Sequence, residues 1–127
     1  VELLRVKLPI ELTNGNNGRT STWYLPAKRR REYESILRYL KLARVPFKNT
    51  VSVTVIRILG NKQHFWDSSS FGRGNYKELE DALVAVGWFV DDSVKWIEET
   101  RFRQDGSRRS QGPAVEIIVE LGTPPKE

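Results

Sequence analysis

Between residues 76 and 96 an apolar helical stripe runs into a glycine, and three large apolar residues and two adjacent carboxylates follow. The stripe is Tyr76, Leu79, Leu83 and Val86, spaced as one face of a helix demands. Gly87 is placed to end that helix, because glycine enters the left-handed region without a Cβ clash. Trp88, Phe89 and Val90 then read as a buried strand or turn, and Asp91 and Asp92 stand at its end. Neighbouring carboxylates repel, so such a pair needs water, a cation or a basic partner to offset the charge. The plain alternative is a solvated turn with one capping aspartate.

The rest of the chain supplies elements that can pack around this stretch. Val1 to Pro9 predicts a strand, with Leu4, Val6 and Leu8 on one face and Arg5 and Lys7 on the other. Ile10 to Tyr24 reads as a loop dense in Asn, Gly and Thr, carrying Arg19. Pro26 suits the first turn of a helix, whose apolar face is Ile36, Leu37, Leu40 and Ala43, and Pro46 is expected to end it. Thr50 to Leu59 is the clearest strand: Val51, Val53 and Val55 alternate with Ser52 and Thr54. Asn61 to Gly74 is a second loop, and Asn75 is the expected N-cap of the helix that ends at Gly87. Val94 to Phe102 and Ala114 to Leu121 complete the set as two strands, expected to form a hairpin across the polar turn Gln104 to Gly112. Thr123 to Glu127 reads as a frayed tail. Strands interleaved with two helices predict a single α+β domain over residues 1–127, a small mixed sheet with two helices on one face.

Composition removes several function classes. There is no cysteine, so no disulfide and no thiolate zinc site. The single histidine, His64, argues against a histidine metal site or relay. No apolar run is long enough to span a bilayer and no signal-peptide pattern opens the chain, so a cytoplasmic protein without a membrane partner is expected. Gly72-Arg73-Gly74 lacks the third glycine of a dinucleotide fingerprint, no Walker-type lysine is present, and no small-molecule cofactor is expected. The net charge of +5 leans towards a polyanionic partner. Lys28, Arg29, Arg30 and Arg31 crowd the first turns of a helix, where positive charge opposes the macrodipole. With Arg19 and Arg73 from the two loops they are the candidate nucleic-acid contacts; a solvated helix face is the alternative.

Four residues suit chemistry. Asp67 follows the second strand, Lys77 opens the following helix, and Asp91 and Asp92 follow that helix. If the helix folds back along the sheet, its two ends approach one cleft. Two or three carboxylates can hold Mg²⁺ through water and phosphate oxygens, and a nearby lysine can stabilise charge on a transferring phosphoryl group.

Those residues carry a resemblance. The run from Lys77 through Asp81-Ala82-Leu83 to Gly87-Trp88-Phe89-Val90-Asp91-Asp92 is similar to the RusA-type Holliday junction resolvases of phages and prophages. The likeness extends to the opening strand ending in Leu8-Pro9, the Asn-rich loop, the basic helix and the Val/Ile strand. In that family an Asp-x-Asp-Asn motif precedes the lysine. Here Asp67 matches its first aspartate, but Ser69 and Ser70 stand at the second aspartate and the Asn, and Phe71 to Gly74 reads as an insertion. The resemblance implies Asp67, Asp91 and Asp92 as ligands of Mg²⁺ (or Mn²⁺), Lys77 as catalytic support, branched DNA as partner and a homodimer. It leaves the metal site one carboxylate short. Two readings follow: a Mg²⁺-dependent endonuclease acting on branched DNA, and a catalytically inactive branched-DNA-binding protein of the same fold. A basic globular domain with a protein partner is the third and plainest.

Overall fold

Strand β2 (Val51–Ile58) is the axis of the fold. It pairs with two neighbours in a four-stranded sheet of order β1-β4-β2-β3, where β1 is Glu2–Leu8, β3 is Ile97–Asp105 and β4 is Ala114–Leu121. The chain, seen as a computed structural model, is described over residues 1–12, 25–67 and 76–122. Helices α1 (Leu25–Tyr39) and α2 (Lys77–Ala85) pack together on one face of the sheet. The expected α+β domain with a small mixed sheet is the observed one.

The alternation in β2 does what period-two patterning requires. Val51, Val53 and Val55 are fully buried beside Tyr33 and Leu37 of α1 and Leu79 and Leu83 of α2. Register extends that face across the sheet. Val53 lies opposite Val119 and Val55 opposite Ile117 on β4, and β1 continues the row with Leu4 opposite Val119 and Val6 opposite Ile117. The other face carries Ser52, Thr54 and Ile56 between ionic flanks. There Arg5 and Arg108 both reach Glu116, at 3.3 and 3.2 Å, and Arg108 also meets Asp105 at 2.8 Å.

Four expectations about element bounds and pairing need correction. The last two strands do not form a hairpin. β2 lies between them, pairing parallel with β3 and antiparallel with β4, so α2 is the crossover of a parallel unit. β3 also begins at Ile97 rather than Val94, because Ser93 to Trp96 form a turn in which Ser93 O accepts from the amides of Trp96 and Ile97. Helix α1 stops at Tyr39, well before Pro46. Lys41 enters the left-handed region at φ 58°, its amide donating to Arg38 O and that of Leu42 to Leu37 O, the paired bonds of a Schellman end. Finally, Tyr76 holds the position before α2, without a side-chain cap.

The same C-terminal motif closes α2 at the expected residue. Gly87 has φ 96°; its amide donates to Val84 O and that of Trp88 to Leu83 O. The two helix ends are then laced together. Arg44 N–H donates to Val86 O, Phe47 N–H to Trp88 O, and the Trp88 indole N–H to Leu42 O at 2.7 Å. Trp88 and Phe89 are buried as expected, whereas Val90 is half exposed. Ile10 and Leu12 lie outside any strand or helix, as expected, and their side chains are buried in the core. Among the described residues no helix is long and apolar enough to cross a membrane.

Candidate functional site

The fold brings Lys77 and Asp92 together. After Gly87 the chain folds back along α2 far enough for Asp92 Oδ2 to meet Lys77 Nζ at 2.5 Å, fifteen positions from the lysine in sequence. Two carboxylates from α2 converge on the same ammonium: Asp81, one turn on, at 3.2 Å and Glu80 at 3.6 Å. The spacing of Lys77 and Asp81 forecasts their pairing. Glu80 is a member that sequence reasoning missed, although its place three residues after Lys77 marks it in the same way.

This cluster is negatively charged overall, with one ammonium against three carboxylates. Asp92 and then Asp81 hold the Lys77 ammonium protonated far above its ordinary range. The Glu80 pKa is raised as well, which for a carboxylate disfavours the charged form. Burial raises its pKa, the Asp92 charge adds to the rise, and Lys77 opposes it. Behind the cluster, Tyr76 is buried with its ring edge-on to Phe102, centroids 5.6 Å apart.

Asp91 does a different job. Its Oδ1 accepts the Ser93 N–H at 2.8 Å, and the hydroxyl and amide of Ser93 hold its carboxyl below the usual range. It therefore starts the turn leading into β3, as the capping alternative anticipates. Asp67 is exposed at the end of the loop after β2. That loop is pinned. Gln104 takes the Trp66 N–H at 2.8 Å and returns a bond to Trp66 O at 3.0 Å, while the Arg57 guanidinium lies 3.7 Å from the Trp66 ring centroid.

The donor set implied for Mg²⁺ is not assembled by these placements. Among the described residues no three Asp, Glu, His or Cys side chains stand where they could hold one ion. Asp92 faces Lys77, Asp91 faces Ser93, and Asp67 borders residues 68–75. Ser69 and Arg73 lie there, and Arg19 lies within 13–24; all three are outside the described residues, as is Asn75.

The basic block on α1 is partly neutralised. Arg29 lies 3.8 Å from Glu78 of α2 and Arg30 lies 3.6 Å from Glu34. Lys28 and Arg31 are exposed and make no ion pair with a described residue.

No protein-family model matches the chain, and no curated protein does. Among solved structures, the chain aligns with the periplasmic domain of Helicobacter pylori MotB over 94% of its own length and 81% of that chain, at 15% identity and a TM-score of 0.43. A superposition that loose carries no argument about function.

Proposed function

We propose that this protein is a structure-selective endonuclease that resolves Holliday junctions or other branched DNA, with Mg²⁺, or Mn²⁺ in its place, as cofactor. The supporting observation is the contact between Lys77 and Asp92, two residues of the resemblance that are distant in sequence and adjacent in space. Lys77 is fixed and charged at the mouth of α2, where it offers a positive group to a phosphate oxygen. The excess negative charge around it would repel a DNA backbone unless a cation came with the substrate, which agrees with a metal requirement. The described carboxylates do not by themselves complete a site for the ion. Paired cuts across a junction call for two sites related by a two-fold axis, hence a homodimer. The reading places the protein in the cytoplasm of a bacterial or phage-infected cell.

A second reading, a branched-DNA-binding protein without catalysis, is favoured by Asp91, whose carboxylate is engaged by Ser93. Mobility shifts with a four-way junction and a linear duplex, run beside a nicking assay with Mg²⁺ or Mn²⁺, separate the two. Junction binding with nicking supports the endonuclease; binding alone supports the second reading; neither overturns both.

A further inference from the structure

A cleft of about 490 Å³ opens on the sheet face away from the helices, between the ends of β2 and β3 and the loop at residues 60–67. Ile56, Phe65, Arg103, Gly106, Ser107 and Arg109 are among its lining. Its size is within the range of small-ligand clefts. Phe65 is 58% exposed, an unusual setting for a phenyl ring held on a pinned loop. The ring rests on Gly106, where an added Cβ would stand 2.9 Å from Phe65 Cζ. Glycine there lets the ring lie against the backbone instead of swinging freely.

The loop beneath the ring is preorganised. Arg109 Nη1 donates to Gly60 O at 2.6 Å and to Gln63 O at 2.7 Å, and the Gln63 side chain accepts the Gly60 N–H at 2.7 Å. Those carbonyls carry no net charge, so Arg109 remains a cation, 6.0 Å from the Phe65 ring centroid. Arg103 is exposed and has no carboxylate partner among the described residues. The cleft also holds one carboxylate, Asp105. It accepts from the Ser107 hydroxyl and amide and pairs with Arg108 at 2.8 Å, so its charge is offset locally. The cleft therefore presents an exposed aromatic ring together with two arginines, Arg103 and Arg109.

We infer that this cleft takes an unpaired base of a DNA strand, stacked on Phe65, with the adjoining phosphate at Arg103. Every base offers a π-face to an exposed ring, and a cation beside it tracks the backbone. A duplex keeps its bases in the stack and leaves the ring without a partner. Strands at a branch point present bases that can unstack, and Phe65 is two residues before Asp67 on the same loop. The inference rests on the DNA-binding part of the proposed function and adds the group that distinguishes a branch from a duplex.

Fluorescence anisotropy in EDTA with a labelled oligo-dT strand and a blunt duplex tests it. Phe65→Ala should weaken oligo-dT binding at least about fivefold, the lower end of one lost stacking contact, and leave duplex affinity unchanged. Phe65→Trp should restore binding. Arg103→Gln should reduce the oligo-dT salt slope by about 0.7. Wild-type affinity for oligo-dT in Phe65→Ala, or an equal loss on both DNAs, overturns the inference, as does a wild-type chain that ignores oligo-dT. EDTA separates this outcome from that of the nuclease. A chain that shows the Phe65 pattern but never nicks a junction keeps the cleft and loses the nuclease; a chain that nicks while its oligo-dT binding ignores Phe65 does the reverse.

Discussion

Gly87 lies directly beneath the carbonyl of Arg44: a Cβ built on Gly87 would stand 2.0 Å from that oxygen. The approach is close because Arg44 N–H donates to Val86 O, drawing the segment after α1 onto the end of α2. Gly87→Ala therefore meets two costs, a left-handed φ and a backbone clash with no flexible side chain to move. It should lose about 3 kcal/mol or more by urea unfolding. Because Trp88 to Asp92 follow immediately, the variant should also loosen the contact between Lys77 and Asp92.

The other helix end predicts the opposite sign. Lys41 holds the left-handed position that Gly87 holds in α2, but with a side chain. Lys41→Gly removes a strain of about 1–2 kcal/mol and adds unfolded-state freedom that offsets part of it. A net gain of roughly 0.5–1 kcal/mol in the same assay is expected.

Glu80 gives a pH signature. Its folded pKa is raised, so burial makes the charged carboxylate costlier in the fold than in the unfolded chain. Its stabilising contribution is present below its unfolded pKa and is lost as pH rises through the folded value. Glu80→Gln should therefore raise the melting temperature at neutral pH, and the gain should vanish in acid below the ordinary glutamate range. A gain that persisted there would point to packing rather than charge.

The basic helix makes a graded prediction. Arg29 and Arg30 have carboxylate neighbours, whereas Arg31 has none among the described residues. Arg31→Ala should lower the slope of log affinity against log salt on duplex DNA by about 0.9, one phosphate's share. Arg30→Ala should change it less. Equal, negligible effects would remove α1 from the DNA face.

These contrasts also mark what the sequence reveals. Gly87 is legible because one residue type solves both the conformation and the close approach. Val51, Val53 and Val55 are legible because alternation is local. The end of α1 is not, since Lys41 takes a conformation that its type disfavours, and Leu40 continues the apolar pattern past the helix although it is partly exposed. The placement of β2 between β3 and β4 is a long-range choice that strand-by-strand patterns do not encode. In the site, the pairing of Lys77 with Asp81 follows from helix spacing, and Asp92 joins them only through the chain reversal after Gly87. The cleft around Phe65 is not legible in the sequence because it combines residues from two loops, β2 and β3, none of which carries a motif.

The most direct test of the account is the initial rate at which a labelled four-way junction is nicked in Mg²⁺ by the wild-type chain, Asp92→Asn and Lys77→Gln, with folding of each checked by thermal melting. Both side chains are substantially exposed, so the variants should remain folded. The wild type should nick the junction and each variant should lose at least about a hundredfold in rate, the scale of removing one preorganised electrostatic group. Nicking by Asp92→Asn and Lys77→Gln at the wild-type rate, or none by the wild type in either Mg²⁺ or Mn²⁺, would contradict the proposed function.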